Sequence, residues 1–197
     1  MNTITNSSDI IFSRTIDGFG EVSLRPMNIE KDAEFLFDWV TRPYAKYWGM
    51  LDNTIEDVHK AYKELETRDN YQVLIGVYNN IPVFLTEVYK ADKDDISKYY
   101  DAKEDDYGMH ILVGPPEQQI HNFTWNVFTT VLEFMFSQSQ IKRVVVEPDV
   151  RNEKIHVLNK KAGFIYDKEV QLPHKKAALA FCTRTTYKKA KLQVLNS

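Results

Sequence analysis

Alternating apolar and polar positions mark four short segments in the first half of the chain as strands. They cover residues 10–16, 21–24, 72–78 and 81–89. A Gly-containing turn at 17–20 separates the first two. Asn79 and Asn80 join the last two, and because asparagine tolerates positive φ, this dipeptide predicts a two-residue hairpin turn. The first half is therefore predicted to contain strands joined by tight turns.

Apolar residues three and four positions apart predict helices between and after these strands. Asn28 is placed to cap the first helix, and Thr54 with Asp57 has the spacing of a capping box for the second. The predicted inward faces are Ala33, Leu36, Phe37 and Val40 in the first helix, and Val58, Ala61, Tyr62 and Leu65 in the second. Residues 123–136 predict a strongly apolar third helix. Its inward face is predicted at Val127, Phe128, Val131, Leu132 and Met135.

The stretch 143–164 joins a buried strand, a sharp break and a helix. Residues 144–146 are β-branched, and Pro148 stops ladder pairing. Asn152 is placed to cap the helix, and Gly163 supplies the left-handed residue that ends it. Further strands are predicted at 107–113, 165–171 and 177–186.

Composition narrows the class of protein. The chain has 197 residues, 43% of them hydrophobic, and no Pro/Gly/Ser linker, so it is expected to form one domain over 1–197. Within it, 10–20 is expected to be an N-terminal strand extension. The net charge of −3 argues against nucleic acid or an anionic membrane as partner. No apolar run approaches the roughly 18 residues of a membrane span, and the start lacks a signal-peptide pattern, so a soluble, cytoplasmic protein is expected.

Three further features bear on chemistry. Residues 92–106 are rich in acids and are expected to form an acidic surface insertion, with a lid or a site that attracts a cationic acceptor as the alternative. Cys182 is the only cysteine, so it is interpreted as a small buried hydrophobe rather than a nucleophile. The five histidines show no close metal-ligand spacing, so no metal site is expected.

Four segments together resemble the Gcn5-related N-acetyltransferase (GNAT) superfamily, and within it the siderophore-biosynthesis branch that acylates hydroxylamines. They are R-P-Y-A-K-Y-W-G-M at 42–50, G-M-H-I-L-V-G-P-P at 108–116, the strand, E-P-D-V-R-N and helix closing in A-G-F at 143–164, and L-P-H-K-K-A at 172–177. The resemblance implies an α/β fold, a single GNAT domain with a central mixed, twisted sheet flanked by about four helices.

The resemblance also implies a catalytic pair, His110 as general base and Asp149 as its partner or a second acid or base. His110 follows Gly108-Met109 in a strand and faces away from Ile111 and Val113. A strand histidine is otherwise often a satisfied structural residue. The other interpretation of Asp149 is an Asx turn beside the helix.

A coenzyme A site is implied at the start of the third helix. The residues concerned are Leu112, Val113, Gln119, Ile120, His121, Asn122, Phe123 and Asn152. Ile120 and Asn122 stand where the superfamily usually has glycines. Because a β-branched residue at positive φ is a strong outlier, either the loop needs no positive φ at Ile120 or coenzyme A binding is weakened. Gln119 and His121 are interpreted as phosphate donors or as a polar helix cap.

The acceptor side is implied between the first two helices. Arg42 or Lys46 would pair an acceptor carboxylate, and Trp48 would line the site or belong to the core. His174 belongs to the matching L-P-H-K-K-A segment and is included among the substrate-binding candidates. Lys154, Lys160 and Lys161 would meet the nucleotide phosphates or be solvated helix lysines.

The expected function is acyl transfer from acetyl-CoA or another acyl-CoA to an N-hydroxylated lysine-like or diamine acceptor, which gives a hydroxamate for siderophore assembly and iron acquisition. The expected partners are this small-molecule acceptor and other enzymes of the siderophore pathway, for a monomer or homodimer. The alternatives are an aminoglycoside or polyamine N-acetyltransferase and a non-catalytic GNAT-fold binding protein.

Overall fold

The computed structural model describes residues 9–115 and 120–195. The strands among them are β1 (Phe12–Ile16), β2 (Gly20–Pro26), β3 (Tyr71–Tyr78), β4 (Ile81–Lys90), β5 (Asp106–Val113), β6 (Arg143–Val146), β7 (Ile165–Gln171) and β8 (Lys176–Thr183). The α-helices are α1 (Ile29–Val40), α2 (Ile55–Glu66), α3 (Phe123–Ser137), α4 (Glu153–Lys161) and α5 (Arg184–Leu195). Short 3₁₀ helices lie at Pro43–Ala45, Ala91–Lys93 and Asp95–Tyr99.

The eight strands form one sheet in the order β1-β2-β3-β4-β5-β6-β8-β7. The sheet is mixed, because β5 and β6 run parallel whereas β1–β2, β2–β3, β6–β8 and β7–β8 are antiparallel pairs. The α/β class with a mixed central sheet is as predicted. Five α-helices occur in the described part of the chain, against about four predicted.

Contacts group the chain into two compact units. Unit 1 consists of Met1–Val88 and His110–Phe134, and unit 2 of Tyr89–Met109 and Met135–Ser197. In unit 1, α1 and α2 pack on the sheet through a common apolar core that includes Ile29, Leu36, Val58, Tyr62 and Ile75. The prediction of one domain over 1–197 stays a prediction.

Local sequence signals of unit 1 are reproduced closely. Asn79 and Asn80 both adopt positive φ, at 48° and 67°, in the turn between β3 and β4. The Thr54–Asp57 capping box is fully formed at the start of α2. Asn28 is the N-cap residue of α1, but its side chain makes no capping hydrogen bond. The inward face of α1 also differs, because Trp39 is buried there and Phe37 is only half-buried.

Unit 2 contains β6, β8 and β7 with helices α4 and α5. Gly163 ends the turn after α4 with φ of +89°, as predicted. The predicted strand 177–186 is too long, because β8 ends at Thr183 and α5 begins at Arg184. At this boundary the Thr183 N–H donates to Thr186 Oγ1 at 2.9 Å, and the Thr186 N–H donates to Thr183 Oγ1 at 3.2 Å. These reciprocal bonds satisfy donors of the first helical turn, which favours a helix over a longer strand.

The predicted acidic surface insertion is only partly a solvated loop. Asp95 and Asp101 are exposed, but Ile96, a residue of the second 3₁₀ helix of this segment, is buried. Asp106 is buried and belongs to β5, where it makes two bonds with the Arg143 guanidinium at 2.6 and 2.7 Å. A buried carboxylate requires such a partner, so Asp106 belongs to the sheet and not to the solvated segment. The acidic insertion therefore ends before Asp106.

Candidate active site

His110 lies on β5 and is paired with a carboxylate on the neighbouring strand. Its Nδ1 is 2.9 Å from Oε2 of Glu87, on β4. The His110 side chain is 32% exposed and that of Glu87 11%. The Thr86 hydroxyl donates to the His110 carbonyl oxygen at 2.8 Å, which fixes the backbone at the same point. Two adjacent strands therefore hold an imidazole and a carboxylate in direct contact.

This contact determines which ring nitrogen can accept a proton. A carboxylate only accepts hydrogen bonds, so Nδ1 carries a hydrogen and donates it to Glu87. In the neutral ring, Nε2 then has the lone pair and is the basic atom. A histidine oriented in this way by a carboxylate is the usual arrangement of a general base.

Glu87 was not among the residues selected from the sequence. The signal was present, since Glu87 is the one charged residue between Ile81 and Tyr89 in an otherwise apolar strand. A buried charge in such a strand requires a partner or a function. The pairing with His110 itself depends on the alignment of β4 with β5, which the sequence does not state.

Behind Glu87 lies a buried tyrosine. Tyr62 on α2 is 0% exposed, and its hydroxyl accepts a hydrogen bond from Trp48 Nε1 at 2.9 Å. Burial, followed by the charge of Glu87, raises the pKa of Tyr62 well above its ordinary value of 10.0. The Trp48 ring also packs edge-on against His110, with ring centroids 6.2 Å apart. Trp48, predicted to line an acceptor site or the core, thus contacts both His110 and Tyr62.

Asp149, in unit 2, is bound by its own near neighbour in sequence. Its two carboxylate oxygens accept bonds from the Arg151 guanidinium at 2.8 and 2.6 Å, and Oδ1 also accepts from the Arg151 backbone N–H at 2.9 Å. This is the Asx turn that the sequence offered as the alternative interpretation. The bonds from Arg151 outweigh burial and lower the pKa of Asp149 to about 2. A catalytic role for Asp149 stays a prediction.

The helix that follows Asp149 is tied back to it through His156. Nε2 of His156 donates to the Asp149 carbonyl oxygen at 3.0 Å, and its Nδ1 is 2.7 Å from the Tyr166 hydroxyl. His156 is half-buried, because helix α4 turns its ring toward the Asp149 carbonyl oxygen and the Tyr166 hydroxyl. Asn152 is the N-cap residue of α4 without a side-chain capping bond, and its backbone N–H donates to the Asp149 carbonyl oxygen at 2.9 Å.

A second carboxylate of unit 2 lies just after β6. Glu147 accepts a hydrogen bond from the Tyr89 hydroxyl at 3.2 Å, and Lys175 Nζ lies 3.7 Å from its other oxygen. Tyr89 packs so closely on Gly108 that a Cβ there would lie 2.0 Å from the ring. The glycine of the G-M-H segment therefore has a packing role two residues before His110.

The predicted coenzyme A residues are described only in part. Gln119 lies outside the described residues. Asn122 adopts φ of +57°, the left-handed conformation available to asparagine, and its carbonyl oxygen accepts the Asn126 N–H at 2.9 Å as α3 begins. Ile120 is 37% exposed and His121 is exposed.

Phe123, the first residue of α3, packs against the rings of Phe19 and Tyr78 with centroids 5.9 and 5.6 Å apart. The side chain of Leu112 is buried in the core of unit 1, and that of Val113 is half-buried. Leu112 therefore has only its backbone to offer a ligand. Binding of a cofactor by these residues stays a prediction.

Other predicted acceptor residues lie on the surface of their own unit. Arg42 bonds to Asp38 at 3.0 Å in an exposed i, i+4 pair on unit 1. Lys46 lies over the Tyr47 ring, 5.0 Å from its centroid. His174 is exposed in the loop between β7 and β8 in unit 2. The exposed positions are compatible with a ligand but do not define one.

Three other features were considered: a metal site, a membrane-spanning helix and the single cysteine. Among residues 9–115 and 120–195 there is no group of three or more His, Cys, Asp or Glu side chains that could hold a metal ion. No helix in this described part is both long and apolar enough to cross a membrane. Cys182 is buried, as predicted, and burial raises the pKa of its thiol to about 11, so the nucleophilic thiolate is scarce at neutral pH.

The fold and the sequence agree on the class of protein. Residues 28–172 match the Acetyltransferase (GNAT) domain family. This match covers more than half of the 197 residues, and the chain belongs to the GNAT acetyltransferase family. The resemblance inferred from the four motif segments is confirmed.

Two curated relatives of this chain are named as acetyltransferases of hydroxylated amines. The chain is 27% identical over 165 residues to the N(6)-hydroxylysine O-acetyltransferase of Escherichia coli, covering 83% of this chain and 52% of that protein. It is 25% identical over 166 residues to the N-hydroxyputrescine acetyltransferase of Acinetobacter baumannii, covering 84% of this chain and 79% of that protein. The chain thus spans about half the length of the E. coli relative.

Solved structures support the fold. An uncharacterized protein from Bacillus halodurans has a TM-score of 0.83 and 26% identity, with 92% of both chains covered. The aminoglycoside acetyltransferase AAC(6')-Ib, solved with ribostamycin and coenzyme A, has a TM-score of 0.76 at 20% identity, covering 85% of this chain and 96% of that one. The second likeness is one of fold alone.

Proposed function

We propose that this chain transfers an acyl group from an acyl-CoA to the nitrogen of an N-hydroxylated lysine-like or diamine acceptor, and so makes a hydroxamate for siderophore biosynthesis. The observation that carries the proposal is the His110–Glu87 pair, at 2.9 Å, inside a GNAT domain. The relatives named for hydroxylysine and hydroxyputrescine support the acceptor class. The proposal places the reaction in the cytoplasm, with no metal.

The acceptor's chemistry suits a histidine base. An N-hydroxylated amine is much less basic than an alkylamine and is largely neutral near pH 7, so its lone pair can attack the thioester carbonyl carbon directly. As the C–N bond forms, Nε2 of His110 takes the proton from nitrogen, while Glu87 stabilises the charge that develops on the imidazole. The C–S bond then breaks, and the thiol is released with a proton returned through the same histidine.

The donor would be held where α3 begins. In this proposal Asn122, at φ of +57°, supplies the turn that a glycine supplies elsewhere in the family, and the N–H groups of the first helical turn meet the pyrophosphate. Gln119, Ile120, His121 and Phe123 complete this end. Leu112 and Val113 contribute backbone to the pantetheine arm.

The proposed roles of Asp149, Arg42 and Lys46 follow from the charges of their side chains. Asp149, with a pKa of about 2, stays ionised at neutral pH. It is therefore a poor proton carrier, so in this proposal it acts through its negative charge rather than as an acid or a base. Arg42 and Lys46 remain candidates for an acceptor carboxylate, and His174 for a polar contact.

The test pairs binding with turnover. Calorimetric titration with acetyl-CoA and succinyl-CoA is expected to give micromolar binding of at least one donor, followed by acylation of N6-hydroxylysine or N-hydroxyputrescine but not of lysine or putrescine. His110→Ala is expected to abolish turnover and keep donor binding. His59→Ala is the matched control, because His59 is an exposed histidine bound to Glu30 on the same unit.

Two results would contradict the proposal. Equal or faster acetylation of kanamycin or spermidine would favour the aminoglycoside or polyamine alternative. Absence of donor binding at millimolar acetyl-CoA and succinyl-CoA would favour the non-catalytic GNAT-fold alternative.

A further inference from the structure

Helix α4 and strand β7 are joined by a hydrogen-bonded network that ends on the main chain of Asp149. The Asn159 side-chain amide donates to the Tyr166 hydroxyl at 3.2 Å. Nδ1 of His156 lies 2.7 Å from the same hydroxyl, and Nε2 of the ring lies 3.0 Å from the Asp149 carbonyl oxygen. All four residues belong to unit 2. Both nitrogens of the His156 ring are therefore engaged.

The direction of each bond follows from the groups that it joins. A carbonyl oxygen can only accept, so Nε2 of His156 carries a hydrogen and donates it to Asp149. In the neutral ring, Nδ1 then has the lone pair and accepts from the Tyr166 hydroxyl. Burial raises the pKa of Tyr166, so the hydroxyl keeps its proton at neutral pH. The amide of Asn159 donates to the hydroxyl oxygen, which leaves the hydroxyl hydrogen for His156.

Strand β8 holds the main chain on both sides of Asp149. The Ala178 N–H donates to the Pro148 carbonyl oxygen at 2.9 Å, and the Val150 N–H donates to the Lys176 carbonyl oxygen at 3.0 Å. These bonds fix the residues before and after Asp149. They leave the carbonyl group of Asp149 itself to other donors.

The start of helix α4 supplies those donors. The Asp149 carbonyl oxygen accepts from the Asn152 backbone N–H at 2.9 Å and from His156 at 3.0 Å, so both of its lone pairs are used. With the carbonyl group fixed by α4 and its neighbours fixed by β8, the direction of the Asp149 Cα–Cβ bond is set. The position of the carboxylate, which is on the same residue, is set with it.

We propose that His156 is a positioning residue for Asp149, which it holds through the Asp149 carbonyl oxygen, while Tyr166 selects the ring tautomer that this bond requires. The bonds from Arg151 do not replace it, because Arg151 belongs to the same turn as Asp149 and moves with it. His156 is instead one turn into α4, where its own N–H donates to the Asn152 carbonyl oxygen at 3.3 Å. The proposal rests on the proposed acyl transfer only in giving the Asp149 charge a part in the reaction.

Two substitutions at one position separate the two bonds of the ring. In His156→Gln, the amide nitrogen reaches as far along the side chain as Nε2 and can still donate to the Asp149 carbonyl oxygen. In His156→Asn, the amide oxygen stands at the level of Nδ1 and can still accept from Tyr166, but no donor reaches Asp149. Tyr166→Phe removes the donor to Nδ1 and keeps the ring, so its effects are expected to lie between those of the other two.

The first measurement is amide hydrogen exchange by NMR in the full chain without substrates. The N–H groups of Arg151 and Asn152 each bond to Asp149 at 2.9 Å, so their protection reports how firmly the turn is held. His156→Asn is expected to speed the exchange of both by about 10-fold, and His156→Gln to stay within about twofold of wild type. His59→Asn, the same change at an exposed histidine, is the matched control and is expected to change neither rate. The ring nitrogen shifts of His156 are expected to show the Nε2–H tautomer.

The second measurement is turnover with the acyl-CoA and hydroxylamine that the wild type uses. Because the energy of a charge depends on its distance from the reacting groups, His156→Asn is expected to lower kcat by about 10-fold, with a smaller change in the KM of the acceptor. His156→Gln is expected to keep kcat within about threefold of wild type. Rescue by His156→Gln identifies the bond to Asp149, since both variants lose the imidazole ring.

The outcomes distinguish this proposal from the proposed function. Faster exchange in His156→Asn than in His156→Gln, with the Nε2–H tautomer in wild type, supports the positioning of Asp149 even if no acyl transfer is found. Equal exchange in wild type and both variants, or the Nδ1–H tautomer in wild type, overturns it even if the chain is an active acyltransferase. In an active enzyme, equal kcat values for His156→Asn and His156→Gln overturn it as well.

Discussion

At the scale of the residue, the contact between His110 and Glu87 defines most of the candidate chemistry. The two side chains come from adjacent strands and are partly shielded from water, at 32% and 11% exposure. Partial shielding strengthens the interaction relative to a solvent-exposed pair. His110 nevertheless keeps enough exposure to meet a small molecule. The pair is therefore both preorganised and accessible.

Glu87→Ala is expected to lower kcat by about 10²-fold, with a smaller change in KM for the acceptor, because the imidazole loses its orientation and its counter-charge in the transition state. Steady-state kinetics with the preferred acyl-CoA and hydroxylamine measure this. Glu30→Ala is the control, since Glu30 also contacts a histidine, His59, but on the exposed surface. An equal loss in both variants would contradict a specific role for Glu87.

Asp149 provides a pH-dependent contribution to stability. Its pKa is lowered from 3.8 to about 2, chiefly by the bonds from Arg151. The native state thus binds the proton less readily than the unfolded chain, so the contribution is fully present above pH 4 and is lost as pH falls toward 2. Because the Arg151 side chain is 74% exposed, solvent screening limits this to about 1 kcal/mol.

Asp149→Asn is accordingly expected to lower the free energy of unfolding by about 1 kcal/mol at pH 7, and the difference from wild type should shrink below pH 4. Urea unfolding at several pH values gives both numbers. Asp95→Asn, which removes a carboxylate from an exposed pair with Lys98, should show a much smaller difference at pH 7. A difference for Asp149→Asn that is independent of pH would show that the ionised carboxylate is not the cause.

At the scale of the element, glycines at positive φ mark two points where a helix or strand must turn. Gly163 follows α4 with φ of +89°, and a Cβ there would lie 2.5 Å from the Thr186 carbonyl oxygen on α5. Gly18, between β1 and β2, has φ of +70° but nothing within 4 Å of a Cβ. The two positions share backbone strain but differ in crowding.

Gly163→Ala is therefore expected to destabilise the protein by roughly 3 kcal/mol, because strain at positive φ adds to a clash with backbone that cannot move freely. Gly18→Ala, with strain alone, is expected to cost about 1 kcal/mol. Chemical denaturation of both variants compares them directly. Equal losses at the two sites would mean that α5 can shift away from Gly163 at little cost.

At the scale of the whole molecule, the buried thiol of Cys182 can be used to measure unfolding. Cys182 lies on β8, and its sulfur is 3.7 Å from the Ala162 carbonyl oxygen. Burial raises the pKa of its thiol to about 11, so the reactive thiolate is scarce in the folded protein at neutral pH. As the chain has a single cysteine, any thiol reaction reports on this site.

Labelling of Cys182 by a disulfide reagent at pH 7.5 is expected to be slower in the native protein than in urea by at least about 10³-fold, because reaction requires opening of unit 2 around β8. Gly163→Ala should accelerate the native reaction, since it weakens the packing beside the same strand. Labelling of the native protein as fast as that of a free thiol would contradict the buried position of Cys182.

Much of the architecture could be predicted because it depends on residues close together in the chain. The Thr54–Asp57 capping box, the Asn79-Asn80 turn and the left-handed Gly163 each act over a few positions and appear as predicted. The apolar face of α3 is also buried as predicted. Helix α5 was missed, since the reciprocal Thr183–Thr186 bonds compete with strand pairing in a way that apolar periodicity does not report.

The sequence by itself determined the order of strands and helices as far as β8, the GNAT resemblance and the selection of His110 as the residue of interest. Only the tertiary structure decided its partner, because Glu87 is 23 positions away and meets His110 through the pairing of two strands. The same holds for Trp48 with Tyr62, and for Arg143 with Asp106, 37 positions apart. Local signals fix backbone conformation, whereas side-chain contacts between distant segments depend on strand alignment and helix packing, which no short stretch of sequence contains.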